Sequence, residues 1–349
     1  MSHLLILAGS LAVSALATPL VRMVAHRSGW LDVPTTRKVK TGAVPRLGGV
    51  AIGLAFYAAF LAATIVGGGP PDATPGAANG MRPLLVGGAL MLILGLVDDV
   101  LDLRARVKFV GQILIAAGVV LLGLVIDRVG TPFGTLELGP LAGPLTVVWI
   151  VAVVNAINLI DGLDGLASGV TLTAAGALYL VALGQPDPLP GLVLVALAGA
   201  VIGFLIYNFH PASIIMGDSG SMFLGFMLAG AAVVMSHDPN RPFSGAVPLL
   251  ALGLPILDTA FAVIRRARAG LPIFRADGEH IHHQLLVVGL SLRAAVIVLY
   301  AVSLAFAALA VIAAVTTGLV GGVILVLGIA VAALLAARLN ARSGSPPAA

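Results

Sequence analysis

The chain has no cysteine in 349 residues, which excludes disulfides, thiolate metal sites and cysteine nucleophiles. Charge is also scarce, because only 10% of the residues are Asp, Glu, Lys or Arg, against about 25% in soluble domains. This scarcity excludes a soluble globule, a disordered chain and a fibre. The sequence is instead 59% apolar with a mean hydropathy of +1.10, which predicts a chain embedded in a lipid bilayer. Its net charge of +4 does not indicate nucleic-acid binding, since basic residues of membrane proteins mostly set orientation.

Long apolar runs follow one another along almost the whole chain. A helix needs roughly 20 apolar residues to cross the hydrocarbon core. The runs predict eleven spans, with ten as the alternative count, at 3–24, 47–67, 82–97, 107–126, 144–160, 166–184, 191–209, 221–236, 245–264, 293–315 and 318–337. The predicted fold is an all-α integral membrane protein, a polytopic helical bundle forming one domain over 1–342, with a disordered tail over 343–349. We expect the first run to be a retained span rather than a cleaved signal peptide, because no Lys or Arg precedes it.

The basic residues are distributed unequally between the two sides of the membrane. With eleven spans, all but three of the 19 Lys and Arg residues lie on one side, the exceptions being Arg82, Arg128 and Arg241. The positive-inside rule makes the richer side cytoplasmic, with the N-terminus outside and the C-terminus inside. The acids at helix ends also fall mostly on this side, and such acids are functional candidates. We therefore expect an active site on the cytoplasmic face of the inner (plasma) membrane.

The first polar motif is the pair Asp98-Asp99 at the end of the third predicted span, with Lys108 ten residues further on. Two adjacent carboxylates repel each other and favour a cation such as Mg²⁺, which commonly bridges to phosphate. Alternatively, one of them has a raised pKa and acts as a base. Lys108 follows a turn that brings it back toward the same place, where it would clamp a phosphate. The remaining alternative is a solvated loop of loosely paired charges.

The second motif lies at the end of the fifth predicted span. Asn155, Asn158 and Asp161 recur every third residue and so share one helix face. A Gly-Leu-Asp-Gly turn with Asp164 follows, and its glycines permit close approach of a ligand. These amide and carboxylate groups suit a metal or the polar edge of a base. The alternative is polar contact between helices of the bundle.

Two further aspartates stand in short motifs. Asp218, in Met-Gly-Asp-Ser-Gly-Ser, opens the eighth span, where free N–H groups favour phosphate oxygens; helix capping is the alternative. Asp258 lies in Pro-Ile-Leu-Asp-Thr within the ninth span. We expect Asp258 to form a structural pair with Arg265 or Arg266 rather than to act directly.

The last motif places His280, His282 and His283 within four residues. Imidazoles bind Zn²⁺ as neutral ligands, and they also donate hydrogen bonds to phosphate or transfer protons. We favour phosphate contact over zinc because the sequence offers no evident fourth ligand. A solvated loop is the third alternative.

These five motifs stand in one order after Asp32-Val33-Pro34, Arg37-Lys38 and Pro-Arg-Leu-Gly-Gly at 45–49. In this order they resemble the polyprenyl-phosphate N-acetylhexosamine-1-phosphate transferases, a membrane superfamily that includes the phospho-N-acetylmuramoyl-pentapeptide transferases. The resemblance spans about 32–289. It implies that a UDP-N-acetylhexosamine and polyprenyl phosphate give polyprenyl-diphospho-N-acetylhexosamine and UMP, with Mg²⁺ as cofactor and Mn²⁺ as an alternative ion. It also implies a homodimer.

The resemblance further implies a role for each motif. Asp98 would activate the lipid phosphate with support from Asp99, and Lys108 would bind phosphate. Asp218 and Asn158 would hold Mg²⁺, while Asp164 would hydrogen-bond the uracil. The other expected substrate-binding residues are Asn155, Asp161, Arg37, Lys38, His280, His282 and His283.

The histidine motif separates the branches of this superfamily. Here it reads His-Ile-His-His-Gln-Leu-Leu rather than three consecutive His followed by Phe-Glu, which resembles the branch that starts O-antigen, enterobacterial common antigen or teichoic acid. UDP-GlcNAc and undecaprenyl phosphate are therefore the expected substrates, and the UDP-MurNAc-pentapeptide transferase of peptidoglycan synthesis is the alternative. An intramembrane prenyltransferase would need a second Asp-rich motif. A proton-coupled transporter would place ionisable groups near the bilayer midplane, whereas these lie at helix ends.

Overall fold

A computed structural model describes residues 3–32, 43–66, 78–131, 134–185, 187–235, 245–271 and 280–316, with isolated positions between 320 and 330. Over these residues the chain forms helices α1 (His3–Arg27), α2 (Gly48–Val66), α3 (Ala78–Leu101), α4 (Ala105–Leu121), α5 (Ala142–Ile160), α6 (Leu166–Ala182), α7 (Leu189–Asn208), α8 (Gly217–Met235), α9 (Ala246–Ala251), α10 (Gly253–Arg268), α11 (Ile281–Val287) and α12 (Leu292–Val315). Two antiparallel strand pairs accompany them, β1 (Leu31–Asp32) with β2 (Val44–Pro45) and β3 (Arg128–Thr131) with β4 (Gly134–Glu137). The predicted helical, polytopic architecture is confirmed.

Seven of the described helices are long and apolar enough to cross a membrane: His3–Arg27, Gly48–Ile65, Gly80–Leu101, Gly139–Ile160, Leu189–Asn208, Gly217–Met235 and Leu292–Val315. Each matches one of the eleven predicted spans. The runs predicted at 107–126 and 166–184 form the 17-residue helices α4 and α6. Most of the run at 318–337, like the predicted tail at 343–349, lies outside the described residues.

The run predicted as one span over 245–264 is interrupted, and the structure has two helices there. Helix α9 ends at Ala251, and α10 begins at Gly253. Leu252 between them has φ −100° and ψ 18°, outside helical geometry. Pro255 has no N–H group to donate to the carbonyl four residues earlier, and a proline at that position kinks or breaks a helix.

Helix α8 is the centre of the bundle, and nearly all of its residues are buried. It packs against α3, α5 and α2. Glycines permit the closest approaches: a Cβ at Gly95 of α3 would collide with the backbone of Asp218, and one at Gly225 would lie 2.7 Å from Cα of Val154 in α5. This packing brings the N-terminal end of α8 against the C-terminal end of α3.

The outer surface of the bundle is apolar. Large hydrophobic side chains on α2, α3, α4 and α12 are more than half exposed, among them Leu61, Ile93, Leu114 and Leu304. Such a surface is unfavourable in water and suits the hydrocarbon of a bilayer, where helices satisfy their own backbone hydrogen bonds. The fold therefore combines a lipid-facing exterior with polar residues gathered at helix ends.

Candidate active site

Three charged side chains from three helices meet at one end of the bundle. Asp98 lies in the last turn of α3, Lys108 lies in the first turn of α4, and Asp218 is the second residue of α8. The Lys108 ammonium donates to Oδ2 of Asp98 at 3.0 Å and also to Oδ2 of Asp218. One cation thus joins two carboxylates that are 120 residues apart in the sequence. The structure brings together the three groups that the motifs predicted for phosphate chemistry.

The turn between α3 and α4 accounts for the position of Lys108. The backbone N–H of Leu103 donates to Oδ1 of Asp98 at 2.9 Å, so the same carboxylate closes the turn and receives the ammonium. Asp102 takes a left-handed conformation with φ 51°, which Asp adopts more readily than most residues. The chain therefore reverses direction within a few residues and returns Lys108 to Asp98.

Asp99 faces a different direction from Asp98. Its carboxylate accepts hydrogen bonds from the backbone N–H groups of Asp218 (2.8 Å) and Ser219 (3.0 Å), and from the Ser219 hydroxyl (2.6 Å). Asp99 is almost completely buried, and a Cβ at Gly217 would lie 2.6 and 2.7 Å from its two carboxylate oxygens. The carboxylate expected to support catalysis therefore anchors the start of α8, the helix that carries Asp218.

A second set of backbone hydrogen bonds holds the segment that precedes Asp218. The N–H of Ile215 donates to the Pro45 carbonyl at 2.9 Å, and the N–H groups of Gly48 and Gly49 donate to the carbonyls of Ile215 and Met216 at 3.1 and 2.8 Å. The Pro-Arg-Leu-Gly-Gly motif thus pairs with the residues that precede Asp218. The position of Asp218 is fixed from both α3 and the start of α2.

The two asparagines of α5 reach different partners. Asn158 donates from Nδ2 to Oδ1 of Asp218 at 3.0 Å and to Oγ of Ser221 at 2.8 Å. Asn155 donates to Oε1 of Gln112 at 2.7 Å, away from the charged cluster. Gln112 is fully buried one turn after Lys108 on α4, and it belongs to none of the motifs found in the sequence. Asn158 belongs to the cluster, whereas Asn155 extends the polar contacts between α4 and α5.

Asp161 and Asp164 flank the turn that leaves α5. Asp161 is the C-terminal cap of α5, with its N–H directed at the Asn158 carbonyl. Oδ2 of Asp164 accepts from the N–H of Ala212 at 3.0 Å and lies 2.9 Å from Nδ1 of His210. These contacts tie the α5–α6 turn to the segment after α7. His210 carried no motif signal, because its link to Asp164 arises from tertiary packing alone.

The histidine motif is held by Asp258. Oδ2 of Asp258 lies 2.9 Å from Nδ1 of His280, and Oδ1 accepts from the N–H of Ile281 at 2.9 Å. The sequence pointed to Arg265 or Arg266 as partners of Asp258 and did not identify the histidine. The ring of His282 stacks on His280, with centroids 5.8 Å apart and planes at 3°.

His282 is buried against the α5–α6 turn. Its exposed fraction is 2%, and a Cβ at Gly162 would collide with its Nε2 atom. Burial, together with the neighbouring His283, lowers the pKa of His282 to about 3. The imidazole is therefore neutral at physiological pH, so it offers a hydrogen bond rather than a positive charge.

The donor set of the charged cluster fits a hard divalent ion. The carboxylates of Asp98 and Asp218 converge on a single cation, and Mg²⁺ in proteins is commonly held by one or two carboxylates together with substrate phosphates. The histidines do not converge in this way, and over the described residues no three His, Asp or Glu side chains form a metal-ligating group.

Arg37 and Lys38 lie outside the described residues. Their expected substrate contacts stay predictions.

Comparison with known proteins shows the family of the chain. The family model described as glycosyl transferase family 4 matches residues 81–236, which contain Asp98, Lys108, Asn158 and Asp218. A "Probable undecaprenyl-phosphate N-acetylglucosaminyl 1-phosphate transferase" of Bacillus subtilis is 38% identical over 306 residues, covering 87% of this chain and 82% of that protein. The chain belongs to glycosyl transferase family 4. The family predicted from the motifs is confirmed.

Other members of glycosyl transferase family 4 match over a similar extent. A decaprenyl-phosphate N-acetylglucosaminephosphotransferase of Mycobacterium tuberculosis is 37% identical over 314 residues, 82% of this chain and 76% of that protein. A phospho-N-acetylmuramoyl-pentapeptide-transferase of Desulforudis audaxviator is 34% identical over 300 residues, 80% of this chain and 86% of that protein. The two branches considered from the sequence are thus both among the family 4 relatives.

Proposed function

We propose that this protein transfers N-acetylglucosamine 1-phosphate from UDP-GlcNAc to a polyprenyl phosphate, undecaprenyl phosphate above all, giving polyprenyl-diphospho-GlcNAc and UMP. The observation that carries the proposal is the Lys108 ammonium held between Asp98 and Asp218 at the end of a lipid-facing bundle. The names of the Bacillus and Mycobacterium relatives support GlcNAc as the sugar. The MurNAc-pentapeptide alternative is favoured less, because its relative is less similar.

In the proposed reaction an oxygen of the lipid phosphate attacks the phosphorus that carries GlcNAc. A P–O bond forms there, and the bond from that phosphorus to the oxygen retained by UMP breaks. Asp98 takes up a proton from the lipid phosphate, and Lys108 offsets negative charge that develops on the phosphoryl oxygens. Phosphoryl transfer depends mostly on such positioning and charge neutralisation, which a fixed ammonium between two helix ends supplies.

We assign Mg²⁺, with Mn²⁺ as an alternative ion, to the same cluster. Asp218 would hold it, with Asn158 supporting that carboxylate through its amide nitrogen. When bound, the ion neutralises charge on the donor diphosphate. Binding of the uracil by Asp164 and a homodimeric assembly also stay predictions.

The distribution of basic residues supports a cytoplasmic active site in the inner (plasma) membrane. The proposed orientation has the N-terminus outside and the C-terminus in the cytoplasm, since all but three of the 19 Lys and Arg residues then lie inside. A cytosolic nucleotide sugar meets a membrane-bound lipid phosphate on that face. We further propose that the reaction is the first membrane step in the synthesis of a cell-envelope glycan.

The test is release of UMP by the purified full-length protein. Undecaprenyl phosphate and Mg²⁺ are supplied with UDP-GlcNAc, UDP-GalNAc or UDP-MurNAc-pentapeptide in separate reactions. We expect UMP with UDP-GlcNAc, and release about 10²-fold slower from the Lys108→Met variant. Absence of UMP with every UDP-sugar would overturn the proposal, and turnover of UDP-MurNAc-pentapeptide alone would assign the protein to the other branch.

A further inference from the structure

Asp258 has no part in the charged cluster, yet its carboxylate is fully engaged. The side chain is 3% exposed in α10. One oxygen meets Nδ1 of His280 and the other accepts from the N–H of Ile281, both at 2.9 Å. Both contacts lie at the start of α11, so a single buried carboxylate ties α10 to the histidine motif across 22 residues of sequence.

The contact with Asp258 also fixes the plane of the His280 ring. Because Nδ1 of His280 is directed at the carboxylate, the ring is not free to rotate about its side-chain bonds. The rings of His280 and His282 are parallel, with centroids 5.8 Å apart and planes at 3°, so His280 covers one side of His282. His283 borders it as well, at 4.2 Å and 45°. The ring of His282 thus lies parallel to that of His280 and between His280, His283 and Gly162.

His282 has a feature that packing alone does not explain. Both of its ring nitrogens are buried without a hydrogen-bond partner among the described residues. A neutral imidazole has one donor and one acceptor, and leaving such groups buried and unpaired is costly. A buried polar ring of this kind indicates a ligand that supplies the missing partners.

The position of His282 indicates which ligand would supply these hydrogen-bond partners. Nε2 lies against Gly162, in the turn that directly follows α5. The same helix carries Asn158, which contacts Asp218 in the charged cluster. The histidine motif and the cluster therefore adjoin one continuous segment, which runs from Asn158 to Gly162.

We propose that Asp258 is a positioning residue which, by holding His280, aligns His282 for a hydrogen bond with an oxygen of the bound UDP-sugar. This proposal rests on the proposed function. The transferred group is then held at two points, by the charged cluster and by a neutral imidazole. Asp258 acts only through His280 and the start of α11, and it touches no reacting atom.

The test compares steady-state kinetics of the full-length protein with Asp258→Ala, Asp258→Asn and His280→Ala. We expect Asp258→Ala to raise KM for UDP-GlcNAc by about tenfold, the loss of roughly one good hydrogen bond, with KM for undecaprenyl phosphate unchanged. Asp258→Asn keeps an acceptor oxygen and should recover part of the loss. The double variant Asp258→Ala/His280→Ala should be no worse than either single variant, because the two residues act as one unit.

Ser14→Ala is the matched control, since it also removes one buried hydrogen bond, from Ser14 to the Ala200 carbonyl at 2.6 Å, between α1 and α7. It should lower thermal stability without changing either KM. A purely structural Asp258 would behave like this control, and additive effects of Asp258→Ala and His280→Ala would equally overturn the proposal.

Hydrogen–deuterium exchange separates this proposal from the proposed function. Without substrate, exchange over 281–287 should accelerate in Asp258→Ala and not in Ser14→Ala. If the unsubstituted protein releases no UMP, the proposed function fails whatever the exchange shows. If it releases UMP and Asp258→Ala shows faster exchange with unchanged kinetics, only the positioning role fails.

Discussion

Asp99 accepts hydrogen bonds from both the backbone N–H and the hydroxyl of Ser219, at 3.0 and 2.6 Å. Its neighbour Asp98 instead receives the ammonium of Lys108 at 3.0 Å. Successive residues of a helix point about 100° apart, so the two aspartate side chains contact different groups. One carboxylate of the pair faces the charged cluster, and the other fixes the helix that carries Asp218.

Because Asp98 and Asp99 contact different groups, we expect their substitution by Asn to have different effects on turnover. Asp99→Asn keeps a carbonyl oxygen for the N–H groups of α8, whereas Asp98→Asn removes the charge that meets Lys108. We expect Asp99→Asn to retain measurable turnover and Asp98→Asn to lose about 10²-fold or more, as for loss of a general base. UMP release at saturating substrates measures both, and equal losses in the two variants would refute the division.

Lys108→Met removes the cation between Asp98 and Asp218 while keeping an unbranched side chain. We expect kcat to fall by about 10²-fold, the usual effect of losing a group that stabilises developing charge. The two carboxylates then lack their internal counter-ion, so the Mg²⁺ concentration for half-maximal rate should decrease. Both values come from a Mg²⁺ titration of the initial rate. An unchanged kcat would remove Lys108 from the proposed site.

His282 predicts a dependence of stability on pH. Burial holds its folded-state pKa near 3, below the ordinary histidine value of 6.5. Between these values the unfolded chain binds more protons, so stability decreases as pH falls from about 6.5 toward 3, by up to about 1.4 kcal/mol per pH unit. We expect Tm in detergent to drop between pH 7 and pH 5, and to drop less in His282→Gln. Equal slopes for the two proteins would contradict a buried, neutral His282.

We expect substitution of Asn208 to cause a large loss of stability, because its side-chain amide makes several hydrogen bonds. It is buried, accepts from the N–H of Gly165 (3.2 Å) and the hydroxyl of Ser168 (3.0 Å), and donates to the Ile214 carbonyl (3.1 Å). Asn208→Ala leaves all three groups unpaired, which should cost about 2 to 4 kcal/mol. Thermal unfolding measures the loss, which should exceed that of Ser14→Ala, where one hydrogen bond is removed.

The local parts of this protein were predictable from the sequence, and its long-range contacts were not. Seven spans followed from apolar length alone, and the return of Lys108 to Asp98 followed from a turn within ten residues. The break at Leu252 was missed because an apolar run does not show how Pro255 interrupts backbone hydrogen bonding.

The contacts that the sequence missed join residues far apart in the chain. Asp258 meets His280, and Asp164 meets His210, 46 residues away. No periodicity links such positions, because the pairing depends on how helices pack. We expected Asp98 and Asp218 to lie close together only because the ordered motifs resemble a known family. Neither composition nor residue spacing shows that two residues far apart in the sequence are close in space.

Helix α4 decides the proposed topology, because its 17 residues are close to the shortest length that crosses a bilayer. At 1.5 Å per residue it spans about 26 Å, a little less than the ~30 Å hydrocarbon core. Its exposed Leu114 and Leu121 nevertheless need an apolar environment. The chain has no cysteine, so a single one is introduced on each side of α4, as Arg104→Cys or Glu137→Cys. Both positions are exposed.

With α4 crossing and the proposed orientation, an impermeant maleimide added to intact cells should label Glu137→Cys and spare Arg104→Cys. Both should react after permeabilisation, which controls for access. The reverse pattern would invert the orientation and place Asp98 and Lys108 outside. Labelling of both in intact cells would mean that α4 does not cross. Because Asp98 and Lys108 border the turn at Arg104, protection of that position would put the charged cluster on the side where UDP-sugars are found.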